Sequence, residues 1–229
     1  MTELGTRPLP QLGKVERSTR REIILEKLRV ALVNGQLSPG THLAETDLSE
    51  SLGVSRGTLR EALRHLQQEG LVVPDARGRL IVRSLSVRDV EDVFAVRGAL
   101  EALAMEAVCA LPDRAAVLEE LREALRSMAA AGSVAEMVSR DLHFHEVICR
   151  ASGNEILVDS WLRVSGQARA AITAAGTETA VSNMAVERHV PVLDIVARSD
   201  AEEGRLFLRR HMQEAADAVT RRMRPAQDV

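Results

Sequence analysis

The sequence predicts a mostly α-helical protein in two parts: a small N-terminal unit of three helices and a β-hairpin, then an all-helical bundle. Three observations support this prediction. Apolar residues recur at helical spacing over most of the chain, with glycine or proline between the periodic segments. Two short β-type runs occur together soon after the third helical segment. No further convincing strand pattern follows Arg83.

Composition limits the class of protein. The chain has 229 residues, of which 45% are hydrophobic and 28% charged, as in an ordinary globular protein with a sizeable core. Cys109 and Cys149 are the only cysteines, so a disulfide framework is excluded and a reducing compartment is favoured. No apolar run approaches the length of a membrane span, and the first residues lack the apolar segment of a signal peptide. We therefore expect a cytoplasmic protein with no membrane partner.

Charge is distributed unevenly along the chain. Residues 1–83 contain 13 basic and 10 acidic residues, a net charge of +3, whereas the remainder contains 17 and 23, a net charge of −6. The excess of positive charge at the front is consistent with a nucleic-acid partner for that part, although sampling noise alone gives asymmetries of this size.

Residues 17–83 form the first predicted unit, after a flexible tail over residues 1–16. Three helices are expected here, the second over residues 45–52. Ser55 follows a glycine turn and can cap the third helix, because serine is a favoured N-cap residue. Gly70 ends that helix. Its inward apolar stripe comprises Leu59, Ala62, Leu63 and Leu66.

A hairpin and a long helical region follow. Residues 71–73 and 80–82 are the two β-type runs, separated by the turn sequence PDARGR. The second unit covers residues 84–229, and Ser86 with Asp89 resembles a capping box at its first helix. Helical patterns then continue to Arg224, with breaks near Pro112, Gly132, Gly153, Gly176 and Ser199-Asp200.

Three helices with a tight turn, followed by a hairpin, is the order of a winged helix-turn-helix. In this module the third helix enters the major groove of DNA. Arg56 and Arg60 lie near the start of that helix, where groove contacts are made, and arginine can contact guanine edges or phosphates with two hydrogen bonds. Ser55 and Thr58 add hydroxyl donors.

The hairpin tip strengthens this interpretation. Arg77, Gly78 and Arg79 place positive charge where a wing approaches the DNA backbone or minor groove. The alternative is that the helix arginines form a solvated face paired with Glu61 and Glu69, as charge runs on helices usually do. The turn, the hairpin and the basic tip together favour DNA binding.

Four sequence elements stand in order in GQLSPGTHLAETDLSESLGVSRGTLREALRHLQQEGLV: Pro-Gly, Gly-Val-Ser-Arg, Leu-Arg-Glu-Ala-Leu and Glu-Gly-Leu-Val. With them, residues 24–82 resemble the N-terminal module of GntR-type transcriptional regulators. The sequence departs from the family pattern at Thr46, where some members carry an arginine on the second helix. The resemblance implies that DNA is contacted, or the contacts positioned, by Ser55, Arg56, Thr58, Arg60 and Gly78.

Four polar residues of the second unit fall on the inward stripes of predicted helices: Asp141, His145, His189 and His211. Asp141 and His145 are one turn apart on the same face, whereas His143 points to the opposite face. Imidazoles and a carboxylate that converge in a core suit a divalent ion such as zinc, nickel or manganese. For any one histidine alone, a hydrogen-bonded core residue is the favoured interpretation. The pair of Asp141 and His145 leaves the metal site and an ordinary helix pair equally open.

The run DLHFHEVICRASGN, a later Glu-Arg-His and a final Arg-His resemble the FCD effector domain of the FadR-like branch. The resemblance is to members that bind a metal through one aspartate and three histidines. It implies an all-helical domain that binds a divalent metal, with zinc as the first choice and nickel or manganese as alternatives. The implied ligands are Asp141, His145, His189 and His211.

Arg97 and Asn154 are candidate effector-binding residues. Arg97 lies on an inward stripe and matches the Arg-x-x-x-Glu element of the family together with Glu101. A buried guanidinium needs an anion. Either Glu101 supplies it, or Arg97 holds one end of a small carboxylate whose other end reaches the metal. Asn154 either contributes to the same site or caps a helix.

We therefore predict a ligand-responsive transcriptional regulator, a repressor, that is not an enzyme. A homodimer places two recognition helices in successive major grooves about 34 to 36 Å apart, so the expected operator is an inverted repeat in double-stranded DNA. One alternative is a helical metalloenzyme with an accessory DNA-binding-like module, although no H-E-x-x-H motif is present. The other is an acyl-CoA-sensing regulator without metal, which the intact set of candidate ligands disfavours.

Overall fold

The computed structural model describes residues 20–223, and its N-terminal unit has the predicted order of three helices and a hairpin. The predicted tail at residues 1–16 and the predicted helix end at Arg224 lie outside the described residues. The elements are α1 (Arg20–Val33), α2 (Glu45–Leu52), α3 (Arg56–Gln68), β1 (Val72–Pro74) and β2 (Leu80–Val82).

The local sequence explains the tight turn between α2 and α3. Gly53 adopts a left-handed conformation with φ 63° and ψ 39°, which ends α2. Ser55 then caps α3, because its hydroxyl accepts a hydrogen bond from the backbone N–H of Thr58 at 3.2 Å. The predicted apolar stripe of α3 is buried along its whole length. The turn therefore orients α3 so that its apolar face packs inward, and the arginines of the helix lie at the protein surface.

The first strand of the hairpin begins one residue later than predicted, at residue 72 rather than 71. β1 begins at Val72, which pairs with Val82 of β2 in antiparallel register. Leu71 links the helix to the hairpin: its N–H donates to the carbonyl of Leu66 at 2.9 Å, and its carbonyl accepts from the N–H of Arg83 at 2.9 Å. The residue that the apolar pattern assigns to the strand is therefore shared between the end of α3 and the end of the hairpin.

The remainder of the described chain consists of seven α-helices. The capping box predicted at Ser86 and Asp89 opens the first of them, and the helices are interrupted near all five predicted breaks, with one further break between Asn183 and Val190 that was not predicted. A short 3-10 turn over Val186–Arg188 interrupts the segment before α9. The helices are α4 (Val87–Cys109), α5 (Ala115–Ala129), α6 (Val134–Ala151), α7 (Glu155–Ala174), α8 (Thr177–Asn183), α9 (Val190–Arg198) and α10 (Ala201–Met223).

The core of this helical bundle is partly polar. α4 packs against α10, α7 and α6, and Trp161, Phe94 and Phe144 between them are at most 1% exposed. Several charged or titratable side chains are buried in the same interior. They are Arg97, Glu101, Asp141, His145, His189 and His211.

The two units share part of their packing. Ala170 of α7 is buried and belongs to the apolar core of the N-terminal unit. Leu85, between β2 and α4, packs against both cores. The N-terminal unit is therefore joined to the bundle by side-chain packing as well as by the chain. Within residues 20–223, no helix combines the length and apolarity needed to cross a lipid bilayer.

Candidate metal centre and nucleic-acid interface

Three buried histidines converge in the helical bundle. His145 lies on α6, His189 immediately precedes α9, and His211 lies on α10. One ring nitrogen from each lies within 4.8 Å of the corresponding atoms of the other two. Their ring centroids are between 4.7 and 5.4 Å apart. The chain thus brings together, from three separate segments, the three imidazoles that the sequence analysis singled out.

His189 reaches the cluster in a different way from the one predicted. The spacing of apolar residues around His189 predicts a helix that contains both Val186 and His189, but α9 begins only at Val190. Val186 belongs to the preceding 3-10 turn. His189 is therefore the N-cap residue of α9, and its ring turns into the bundle.

Asp141 lies one turn before His145 on α6 and contacts His189. Its Oδ1 is 3.1 Å from Nε2 of His189. Nδ1 of the same ring lies 3.0 Å from the carbonyl oxygen of Ala185, which can only accept a hydrogen bond. In the neutral imidazole the proton therefore resides on Nδ1, and a lone pair on Nε2 faces a carboxylate oxygen. Two acceptors at this distance repel each other unless a cation or a proton lies between them.

The electrostatics of the cluster favour an anionic Asp141 and a neutral His211. Burial alone raises the pKa of Asp141, but its contact with His189 and the neighbouring His145 and Arg97 outweigh this effect and lower the pKa to about 2. Burial, assisted by the neighbouring imidazoles of His145 and His189, lowers the pKa of His211 well below its usual value. A carboxylate and an uncharged imidazole are the forms in which these residues bind metal ions.

Glu101 lies beside the histidine cluster, although its spacing in the sequence indicated only a partner for Arg97. Its Oε1 accepts hydrogen bonds from Arg97 at 3.0 and 3.1 Å and from the indole N–H of Trp161 at 2.7 Å. Its Oε2 lies 2.8 Å from Nδ1 of His145. Burial raises the pKa of Glu101, but the neighbouring His145 and the positive charge of Arg97 outweigh this effect and hold the pKa well below its usual range.

The contact with Glu101 determines which nitrogen of His145 is free. A carboxylate can only accept a hydrogen bond, so the 2.8 Å approach of Glu101 favours the tautomer with the proton on Nδ1 and the lone pair on Nε2. Nε2 of His145 and Nε2 of His189 are both buried without a hydrogen-bond partner among the described residues, and the contact between Nδ1 of His145 and Oε2 of Glu101 is close but lacks hydrogen-bond geometry. Buried, unpaired acceptors are costly, and a divalent cation between them removes this cost. The donor set therefore fits a metal ion.

The structure resolves the surroundings of the two candidate effector residues. Arg97 is 1% exposed and paired with Glu101, as in the first of the two interpretations of the sequence. Asn154 is the N-cap of α7, and its Oδ1 accepts a hydrogen bond from the backbone N–H of Leu157 at 3.1 Å. His143 is exposed on the opposite face of α6, as expected.

The N-terminal end of α3 presents the predicted DNA-contacting residues at the surface. Arg56 is exposed, and among the described residues no acidic side chain pairs with it. Arg60 is exposed as well, but its Nε lies 2.6 Å from Oε2 of Glu45 on α2. The hydroxyls of Ser55 and Thr58 are hydrogen-bonded to each other at 2.8 Å. Of the three exposed arginines of α3, only Arg56 has no acidic partner among the described residues, since Arg60 pairs with Glu45 and Arg64 with Glu61.

The hairpin tip carries two exposed arginines, of which Arg77 has no acidic partner among the described residues. Asp75 organises the tip, because its Oδ1 accepts hydrogen bonds from the backbone N–H groups of Arg77 and Arg79 at 2.8 and 2.9 Å. The Arg79 side chain also pairs with Asp75, whereas Arg77 points outward. Gly78 has a φ of 76°, a left-handed conformation that favours glycine in this turn.

Comparisons with known proteins agree with this architecture. A regulator of the HTH type from an unstable DNA locus of Streptomyces ambofaciens is 31% identical over 90% of this chain and 86% of its own length. The gluconate operon transcriptional repressor of Bacillus subtilis is 26% identical over 67% of this chain and 63% of its own length. The crystal structure of a GntR transcriptional regulator from Rhodococcus sp. RHA1 superimposes with a TM-score of 0.63 at 23% identity, covering 88% of this chain and 97% of that one.

Two family descriptions match separate parts of the sequence. Residues 20–82 match the bacterial regulatory proteins of the gntR family, and residues 92–214 match the FCD domain. These ranges correspond to the unit that carries α3 and to the bundle that carries the histidine cluster. The chain therefore belongs to the GntR family of bacterial transcriptional regulators, and its helical half is an FCD domain.

Proposed function

We propose that this regulator is a metal-dependent repressor whose affinity for its operator changes when a small carboxylate binds in the helical bundle. Its family makes it a DNA-binding transcriptional regulator and not an enzyme, which argues against the metalloenzyme alternative. The name of the Bacillus subtilis relative supports repression. A regulator of this kind acts in the bacterial cytoplasm, where the chromosome lies.

One observation carries the metal proposal: Nε2 of His189 faces Oδ1 of Asp141 at 3.1 Å while its Nδ1 is engaged by a carbonyl. Either a proton or a metal cation removes the repulsion between two such acceptors, and the convergence of three imidazoles at this point favours the metal cation. His145 contributes a second buried nitrogen with no partner among the described residues. We assign Asp141, His145, His189 and His211 as the residues that hold the ion, with zinc as the first choice and nickel or manganese as alternatives.

The effector is proposed to be a small carboxylic acid that binds the metal directly. A metal with four protein ligands from this set can accept further oxygen ligands, which supplies the chemistry for binding a carboxylate. Arg97 has its guanidinium engaged by Glu101, so we assign it to holding Glu101 rather than the effector. Asn154 is assigned to capping α7.

DNA binding is proposed to use α3 and the hairpin of each protomer of a homodimer. Ser55, Arg56, Thr58 and Arg60 are assigned to the major groove, and Arg77 and Gly78 to the adjoining backbone. Val96 and Leu103 of α4 are 47% and 51% exposed and lie two turns apart on one face. Such an exposed apolar face supports pairing of two copies, and a two-fold dimer requires an inverted-repeat operator.

The proposal is tested by elemental analysis of the purified protein, followed by a thermal-shift screen of small di- and hydroxycarboxylic acids with and without a chelator. The expected result is a bound divalent metal, and a stabilising acid whose effect disappears on chelation. Protein purified without chelators that contains no metal and takes up none would overturn the sensor proposal. An acid that stabilises the chelated protein equally well would overturn the metal-bound effector alone.

A further inference from the structure

The C-terminal end of α3 rests directly on α7. Gly70 lies two residues after the last residue of α3, Gln68, and has a φ of 75°. A Cβ atom on Gly70 would lie 2.8 Å from the backbone carbon and oxygen of Gly166. A Cβ atom on Gly166 would lie 3.1 Å from the carbonyl oxygen of Glu69. The two backbones approach so closely because both positions lack a side chain.

The position of Gly166 is informative because it lies inside a helix of 20 residues. Glycine destabilises a helix interior relative to alanine, so a glycine there indicates a packing requirement. Ala170, one turn further along α7, is buried in the core of the N-terminal unit. Small residues one turn apart therefore form the surface of α7 on which the end of the recognition helix is seated.

A polar contact connects this surface to the helix that carries Asp141. Arg169 of α7 donates a hydrogen bond to the hydroxyl of Ser139 on α6 at 2.8 Å. Ser139 precedes Asp141 by two residues on the same helix. Arg169 also lines a small cavity between the two units together with Glu69 and Arg29. Arg29 of α1 forms an ion pair with Glu69 and so fixes the end of α3 from the other side.

We propose that Gly166 and Arg169 are positioning residues of the recognition helix, through which a change at the metal centre reaches α3. The hydrogen bond of Arg169 links α7 to α6 beside Asp141, and Gly166 contacts the backbone at Glu69 and Gly70. A displacement of α6 on metal binding therefore moves the surface of α7 against which the end of α3 packs. Coupling of this kind does not need the connecting segment between β2 and α4. The inference rests on the proposed function, since it concerns how occupancy of that metal centre alters DNA binding.

The test measures the dissociation constant for a duplex selected by the wild-type protein from a random-sequence pool, with zinc and with a chelator. In the wild type we expect the two constants to differ by about 5- to 150-fold, the usual range of allosteric coupling. Gly166→Ala adds a methyl group against the Glu69 carbonyl, and we expect the two constants to become equal within about twofold. Gln167→Ala, at the next position of α7, is the matched control and keeps the wild-type ratio.

Thermal melting and circular dichroism separate this effect from misfolding. Alanine favours helix over glycine, so Gly166→Ala remains folded while its zinc-dependent ratio is lost. Arg169→Gln is the second variant: it loses the ratio, and Arg169→Lys restores part of it. If Gly166→Ala fails to fold, the two Arg169 variants decide the outcome.

The outcomes distinguish the two levels of the proposal. If the wild type contains zinc but binds the duplex equally with zinc and with chelator, metal occupancy does not reach α3 and the inference is overturned; if the wild type takes up no metal, the proposed function is overturned and this inference with it. If the wild-type ratio is present and both Gly166→Ala and Arg169→Gln retain it, only the inference is overturned. Loss of the ratio in folded variants, with its retention in Gln167→Ala, supports it.

Discussion

Glu101 on α4 contacts His145 on α6: Oε2 of the carboxylate lies 2.8 Å from Nδ1 of the imidazole. The other carboxylate oxygen is held by Arg97 and Trp161. A buried carboxylate that is fixed in this way orients the ring and directs its second nitrogen into the histidine cluster. Carboxylates behind metal-binding histidines commonly have this role.

Glu101→Gln is expected to weaken metal binding by about 10- to 100-fold, because an amide is a poorer acceptor for the Nδ1 proton of His145. Competition with a chelator of known affinity measures the change. Trp161 is the only tryptophan and donates to Glu101, so its fluorescence provides a second readout. Glu106→Gln is the control, since Glu106 lies on the same helix with a half-exposed side chain. Equal metal affinities of wild type and Glu101→Gln would refute this role.

His189→Ala is expected to abolish stoichiometric metal binding. The substitution removes one of three imidazoles whose nitrogen atoms lie within 4.8 Å of one another. His143→Ala removes an exposed histidine from the same part of α6 and should bind metal as the wild type does. Metal content after dialysis, measured by elemental analysis, compares the two variants. A full complement of metal in His189→Ala would exclude the assigned ligand set.

Arg56→Ala is expected to weaken operator binding by about 5- to 150-fold, because one good arginine contact with a base contributes about 1 to 3 kcal/mol. Arg88→Ala is the control: Arg88 is 89% exposed on α4 and lies outside the recognition helix. Both affinities are measured at the same ionic strength, since phosphate contacts depend on salt. Identical affinities of Arg56→Ala and the wild type would remove Arg56 from the interface.

The stability of the metal-free protein is expected to fall as the pH decreases below about 6.5. The pKa of His211 is lowered in the folded state, chiefly by burial. The unfolded chain therefore takes up a proton at a pH where the folded protein does not, and each such proton reduces the free energy of unfolding by up to about 1.4 kcal/mol per pH unit. The contribution of His211 is fully present above its unfolded pKa and is lost in acid.

Chemical denaturation of chelated protein at a series of pH values measures this dependence. His211→Gln replaces the imidazole with a neutral amide, so its stability should vary less with pH over the same interval. Parallel curves for the two proteins would show that His211 stays uncharged in both states, or charges equally in both.

The sequence predicted those features that depend on neighbouring residues. The serine cap of α3, the glycine after α2 and the capping box at Ser86 and Asp89 lie where they were predicted. Each is fixed by residues within one turn, so local patterns suffice. The inward positions of His145 and His211 followed equally from helical spacing, because both lie within long regular helices.

Features that depend on distant residues were missed. The contact between Glu101 and His145 joins two helices, and the spacing of Arg97 and Glu101 indicated only a pair within α4. His189 was placed within a helix because its neighbours are apolar at helical spacing, although the helix begins after it. The approach of Gly166 to Gly70 has no sequence signal beyond a glycine in a helix, since the partner is 96 residues away.

The burial of Ala170 beneath the N-terminal unit bears on how such regulators can be recombined. A chimaera that joins residues 1–83 to the effector domain of another regulator would lack the Ala170 methyl group in this core. The new domain must supply a small residue at the same place to avoid a cavity there. Exchange of sensors between relatives therefore demands a matched α7, and a graft that keeps Gly166 and Ala170 should stay soluble where one with bulky residues there aggregates.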